Sequence, residues 1–270
     1  VKFHVITGLP RSGTTLLCNI FNQNPRCYAS STSPLPVMLN NLVHAWSSAP
    51  EIKSMLEKQK DETELRMEAA ARATIDGWYA HKDNEIIFDK SRSWSASSLM
   101  LKKVYPECKM IVCVRNLLNV FASVEKQHMK NPLLDEADSL NDRTVYNRAD
   151  TFFGPEGLIG QPIVGIEDIL RRNPDNVIFV HYETFTTDPA MAMQRIYTEL
   201  NEPLFEHDFD NVKNTAEDAD GFYLHKYPHR GCGKVAPTDP EEWKKYISPD
   251  LAGTIMGRFQ DYCKSFGYSA

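Results

Sequence analysis

The segment Gly8-Leu9-Pro10-Arg11-Ser12-Gly13-Thr14-Thr15 is the first place where residue types gather at a spacing that could do chemistry. Apolar residues flank it: Val1–Thr7 reads as a strand, and Leu16, Leu17, Ile20 and Phe21 recur at helical spacing. A glycine-bearing turn between a strand and a helix aims backbone N–H groups and the positive end of the helix dipole at one point. That point suits an anion, phosphate above all. The spacing follows GxxxxGK[ST], except that Thr14 stands where a nucleoside triphosphatase carries its phosphate-reaching lysine. The nearby cation is Arg11, three residues earlier. The loop therefore suits a smaller terminal group handled without a metal, with Arg11, Ser12, Gly13, Thr14 and Thr15 around it.

The elements that must position this loop read as alternating strands and helices. Glu85–Phe88 is a strand ending at Asp89 and Lys90, Lys109–Val114 a strand ending at Arg115, and Val177–Val180 a strand before Tyr182. Helices are expected at Leu35–Trp46, Glu62–Tyr79, Asp188–Leu200 and Pro249–Phe266, the last with Ser248 as N-cap and Pro249 at the first helical position. This is the pattern of an α/β, P-loop-type three-layer fold with a central parallel sheet flanked by helices. Residues 1–270 read as a single domain without repeats or linkers. The stretches 131–142 and 218–238 are expected to be mobile loops.

Composition narrows the function classes. Of 270 residues, 42% are hydrophobic and 24% charged, ordinary globular usage. A net charge of -6 and an isoelectric point near 5.8 argue against broad nucleic-acid binding, so an anionic ligand has to meet a local basic pocket. No run of 18 apolar residues marks a membrane span, and a cytoplasmic location is expected. The six cysteines form no CxxC pair and read as free thiols. His225, His229 and Cys232 have spacings a metal could use but lack a nearby fourth ligand, so no metal site is assigned.

The string GLPRSGTTLL closely resembles the 5′-phosphosulfate loop of sulfotransferases that use 3′-phosphoadenosine 5′-phosphosulfate (PAPS), in the form carried by the tyrosylprotein and bacterial or carbohydrate branches. A second motif follows in the right order: Val112-Cys113-Val114-Arg115, then Ser123 eight residues on, resembles the family's 3′-phosphate motif. The pairing makes chemical sense, because a guanidinium fork binds phosphate bidentately and a hydroxyl adds a neutral donor. Asp89-Lys90-Ser91 stands where the family carries a strand-end lysine. Tyr182-Glu183 with Asp188-Pro189 resembles the segment near the adenine, and Gly231-Cys232-Gly233-Lys234-Val235 resembles the late loop that closes over the 3′-phosphate.

The resemblance implies a sulfotransferase that moves a sulfuryl group from PAPS to an acceptor hydroxyl or amine, releases the desulfated product PAP and needs no metal. Arg11 and Lys90 would compensate charge on the departing phosphate, while Arg115, Ser123, Tyr182 and Lys234 would hold the nucleotide. The base is where the chain departs from the family. Arg26–Ser33 lacks the glutamate of some branches, and Arg92 stands where another branch has histidine. His44 becomes the candidate, because histidine titrates near neutral pH. Two rival readings stand beside this one: a P-loop small-molecule kinase with Asp89 as its Mg²⁺-holding aspartate, and a catalytically degenerate PAP-binding module. The acceptor class and the oligomeric state are not legible in the sequence.

Overall fold

The computed structural model describes residues 1–130, 144–172, 174–216, 228–229 and 231–269. Five strands form one parallel sheet: β1 (Lys2–Gly8), β2 (Cys27–Thr32), β3 (Ile86–Lys90), β4 (Met110–Val114) and β5 (Val177–His181), in the spatial order β2-β3-β1-β4-β5. β1, β3 and β4 are nearly continuous apolar runs because both sheet faces are covered.

One face packs α2 (Leu35–Ser48), α4 (Lys60–Trp78), α5 (Ser98–Val104), α6 (Leu117–Lys130), α7 (Val145–Phe153), α8 (Gly160–Arg172), α11 (Pro249–Arg258) and α12 (Gln260–Phe266), through a core that includes Val5, Trp94, Phe121, Ile166 and Tyr262, while α3 (Pro50–Lys58) buries no residue and lies outside on α4 and α2. The opposite face packs α1 (Thr14–Phe21) and α10 (Pro189–Leu200), with α9 (Tyr182–Thr187) at the end of β5, through Leu17, Phe21, Phe88, Phe185 and Ile196. Phe21 stacks on Phe88 with ring centroids 4.0 Å apart, which fixes α1 against the sheet.

The order of the strands decides where a ligand can bind. β1 is followed by α1 on one face, its neighbours β3 and β4 lead into chain on the other, and the crevice lies at the carboxyl ends of β3, β1 and β4. The loop after β1, Lys90 at the end of β3 and Arg115 just past β4 converge there.

Three features depart from the sequence reading. β2 was not expected, since CYASST offers hydroxyls rather than an apolar run. It is an edge strand whose register with β3 slips between Ala29 and Thr32. The helix expected over Pro249–Phe266 is two helices, because Phe259 leaves helical geometry (φ -117°, ψ 41°) and buries its ring against Phe153, centroids 5.5 Å apart. The expected loop 131–142 and residues 218–227 and 230 of the second expected loop lie outside the described residues. Residues 231–238 pack against the body of the protein, Val212 pairing with Gly233 in an isolated antiparallel bridge.

Candidate active site

The turn from β1 into α1 is shaped by two residues in the left-handed region, Arg11 (φ 60°) and Gly13 (φ 87°). Gly13 is required twice over: its backbone favours glycine, and a Cβ there would meet the Tyr182 ring at 3.0 Å. Arg11 holds an uncommon conformation that its surroundings over-determine. The Ser12 hydroxyl donates to the Leu9 carbonyl at 2.6 Å, and Nη1 of Arg115 donates to the Arg11 carbonyl at 2.7 Å. Gly13 caps α1 without a side-chain hydrogen bond, so the helix opens with its first N–H groups directed at the crevice.

From that turn the Arg11 side chain spans to the other face. Its Nε donates to Ser123 Oγ on α6 at 3.1 Å and its Nη1 to the Pro228 carbonyl at 2.9 Å. Ser123 accepts from Arg11 and keeps its own proton to donate. Lys90, only 4% exposed, places Nζ 3.2 Å from Thr15 Oγ1, while its backbone N–H donates to Ser30 Oγ at 2.9 Å.

Arg115 is 6% exposed. Its guanidinium lies over the Tyr182 ring, 4.0 Å from the centroid, and Nη2 donates to Thr238 Oγ1 at 3.3 Å. Its backbone is clasped by one hydroxyl: Tyr262 accepts from Arg115 N at 3.2 Å and donates to Arg115 O at 3.0 Å. Among the described residues no carboxylate comes within ion-pair distance. Burial therefore pulls the guanidinium below its ordinary range, with Glu183 and Glu242 opposing only at longer range.

These groups line one cavity of about 490 Å³. Of the residues named from sequence, Arg11, Gly13, Thr14, Thr15, Lys90, Arg115, Ser123, Tyr182 and Lys234 line it. Lys234 does so from the rim, its side chain paired with Asp210 at 2.8 Å. Ser12 is buried under the turn, so only its backbone is available to a ligand there. His44 is exposed on α2 and does not line the cavity. Asp89 points the other way along its strand. Its carboxyl accepts from Tyr79 Oη at 2.5 Å and Trp94 Nε1 at 2.6 Å, and burial pushes its pKa up. A carboxyl so engaged is not presented to a metal–phosphate complex.

The cavity also holds residues that sequence reasoning missed. Lys126, Gln127 and Lys130 follow Ser123 at three, four and seven positions on α6, so helical spacing from Ser123 was the available signal. Thr186 follows Tyr182 by four on α9 and Thr32 ends β2; Arg92, noted from the sequence as standing in a histidine's place, lines the cavity two residues past β3. Among the described residues, seven lysines and arginines line the cavity against one carboxylate, Glu242, which pairs with Lys126 at 2.6 Å. The basic pocket that an acidic chain needs for an anion is thus local.

The late loop is seated from α1. Asn19 Nδ2 donates to the Gly231 carbonyl at 2.6 Å and Asn19 Oδ1 accepts from Thr215 N and Ala216 N. A Cβ on Gly231 would meet Leu16 N at 2.5 Å, so only glycine lets the loop lie on the first turn of α1. His225 lies outside the described residues, and among those described no group of three or more metal-ligating side chains converges. Nor is any described helix long and apolar enough to cross a membrane.

The family profile described as the sulfotransferase family matches residues 5–207. No curated protein matches the sequence. Solved structures share the fold at low identity. The sulfotransferase domain of the Synechococcus PCC 7002 olefin synthase has a TM-score of 0.58 at 16% identity, over 100% of this chain and 95% of that one. Sulfotransferase STF9 from Mycobacterium avium gives 0.54 at 14% identity, over 99% and 77%. Mouse sulfotransferase SULT7A1 complexed with PAP gives 0.54 at 14% identity, over 99% and 85%.

Proposed function

The chain belongs to the sulfotransferase family, and from that premise we propose that its donor is PAPS, bound across the crevice with the nucleotide on the β4–β5 side and the sulfuryl group toward β3. The observation that carries this reading is Arg115: a nearly buried guanidinium without a carboxylate partner among the described residues, stacked on Tyr182 and opening on the same cavity as Ser123. A desolvated cation left in that state is costly until an anion arrives. The 3′-phosphate of PAPS is an anion of the right charge at the right end of the nucleotide, and ATP lacks it. The complex of the mouse enzyme with PAP supports the same choice.

In this arrangement Arg115 and Ser123 grip the 3′-phosphate, Tyr182 and Thr186 flank the adenine side, and Lys234 closes the rim. Arg11, Thr14, Thr15 and the first N–H groups of α1 hold the 5′-phosphosulfate. Lys90 stands beside Thr15, where charge collects on the bridging oxygen as it departs. The acceptor oxygen forms the new bond to sulfur, and the bond from sulfur to the bridging oxygen breaks with its electron pair on PAP. The acceptor proton is released to solvent. Positioning and charge compensation by the chain's own residues suffice for such a transfer, so no metal enters it. The whole chain acts as one domain, since all five strands share one sheet. Its six free thiols support a cytosolic location.

The test is calorimetric titration of Arg115→Ala with PAP and with adenosine 5′-diphosphate. PAP should weaken about 30-fold or more, roughly 2 kcal/mol, and the nucleotide without the 3′-phosphate much less. Equal losses for both would remove Arg115 from the 3′-phosphate and the reading with it.

A further inference from the structure

A second, open cavity of about 330 Å³ lies at the β2 edge of the sheet. It meets the donor cavity at Thr32, which lines both. The junction is built by hydrogen bonds between strand ends: Lys90 N donates to Ser30 Oγ at 2.9 Å, Ser33 N donates to the Lys90 carbonyl at 2.8 Å, and Thr32 is the register partner of Lys90. Neighbouring strands lie about 4.8 Å apart. A molecule in the second cavity is therefore one strand away from the strand that carries Lys90, on the side opposite the nucleotide.

The lining states what chemistry this cavity suits. One wall carries the hydroxyls of Ser30, Ser31, Thr32 and Ser33. Ser30 and Ser33 are buried and engaged, accepting from Lys90 N and Leu35 N, so the solvent-accessible hydroxyls that a ligand meets are those of Ser31 and Thr32. The other is aromatic, Tyr28, Trp78 and Tyr79, with Pro34 and His81 completing the described lining. Among these residues there is no Asp, Glu, Lys or Arg, and no aliphatic chain such as Leu, Ile or Val. The rings are held in place. Tyr79 is tied to Asp89 through its hydroxyl, Tyr28 packs edge-on to Tyr79 with centroids 6.0 Å apart, and Lys82 Nζ lies 4.0 Å from the Tyr28 ring centre. Trp78, in the last turn of α4, leaves 40% of its surface exposed, an indole that the core does not use.

An acceptor with a steroid or terpenoid body would call for aliphatic walls, and an anionic acceptor would call for cations. A neutral sugar presents C–H faces to aromatic rings and hydroxyls that both donate and accept, which is what a serine and threonine row also does. We propose that the second cavity holds the acceptor and that the acceptor is a neutral saccharide, stacked on Trp78 and Tyr28 with its reacting hydroxyl directed past Thr32 toward the sulfuryl group. The inference rests on the PAPS reading of the first cavity and adds the substrate class to it.

The experiment uses wild-type protein saturated with PAP, titrated with lactose, maltose and chitobiose by calorimetry. In parallel, transfer of labelled sulfate from PAPS is measured onto the same sugars, onto 4-nitrophenol and onto a uronic-acid disaccharide. At least one neutral sugar should bind and be sulfated, and Trp78→Ala should weaken that sugar about tenfold or more, the scale of one lost aromatic contact. Because Trp78 is exposed, the variant should keep the thermal shift that PAP induces, and Tyr28→Ser should repeat the loss. Binding by none of the three sugars, sulfation of only the phenol or the acid, or sugar affinity unchanged in Trp78→Ala overturns the inference. The PAP-induced shift in Tm, read in the same samples, keeps the two readings apart. If it is present while sugars fail, the acceptor class alone falls; if it is absent, the donor reading falls as well.

Discussion

At the scale of single residues, the end of β3 sorts two adjacent charged side chains into opposite tasks. Strand alternation sends Asp89 into the core, where Tyr79 and Trp94 hold it and burial favours its neutral form, and sends Lys90 into the cavity beside Thr15. The backbone of Lys90 is fixed on both sides by Ser30 and Ser33, so its ammonium is aimed before any ligand arrives. A cation placed this way stabilises charge that appears only as the leaving phosphate departs, and such an interaction raises kcat more than it lowers KM. Lys90→Ala should therefore reduce turnover with saturating PAPS on the order of 10²-fold, while PAP affinity measured by calorimetry falls far less. Strong loss of PAP binding with kcat near wild type would make Lys90 a binding residue and pass the catalytic charge to Arg11 or Arg92, both of which line the same cavity.

At the scale of elements, α6 carries Ser123, Lys126, Gln127 and Lys130 to the cavity, and its position depends on a buried ion pair. Arg148 on α7 donates to Glu125 from Nε at 2.7 Å and from Nη2 at 2.5 Å, with both side chains under 10% exposed. Removing one partner strands the other's charge in the interior, so Arg148→Met should cost about 3–5 kcal/mol, read as the urea unfolding free energy. The double variant Glu125→Leu with Arg148→Met should recover most of that loss, since two apolar groups replace two charges. A single variant as stable as wild type would show that the pair does not anchor α6. The same scale shows which elements were legible in the sequence. β1, β3, β4 and β5 announced themselves because strands of a covered parallel sheet are apolar runs, and the phosphate turn announced itself through its glycines. β2 did not, because its hydroxyls face a cavity instead of a core. The split at Phe259 was hidden because the apolar spacing continues through it, and only the ring of Phe153 explains the turn. The cationic face of α6 could have been reached by counting from Ser123, whereas Thr32, Arg92 and Thr238 enter the cavity through strand order and loop packing, which no local pattern encodes.

For the molecule as a whole, the net charge of -6 is unevenly distributed: the cavity gathers seven cations among the described residues, while two histidines outside its lining have their neutral form favoured by burial. His4 on β1 is 4% exposed, accepts from Lys109 N at 3.1 Å through Nδ1 and has its pKa lowered to about 4, desolvation outweighing the attraction of Glu202. His207, wedged between Phe205, Phe209 and Tyr197, is likewise lowered to about 4 by desolvation. In the unfolded chain both would protonate near pH 6.5. Between pH 6.5 and 4 the unfolded state therefore binds more protons than the folded one, so stability is complete above 6.5 and declines as the pH falls through this window. For His4 the decline approaches about 3 kcal/mol at the low end. The urea midpoint should accordingly be flat from pH 8 to 7 and drop steadily from 6.5 to 4.5. His4→Gln, which cannot take up a proton, should flatten part of that drop even if it lowers stability at pH 8. Glu202, whose pKa Lys2 and Arg26 lower against the opposing pull of desolvation, adds its own loss at the acid end of this window and below it, starting where the unfolded carboxyl begins to take up a proton near pH 4.5. A midpoint that stays constant from pH 7 to 5, or one with the same slope in His4→Gln, would mean that water reaches the imidazole and that the interior at β1 is not as dry as its packing implies.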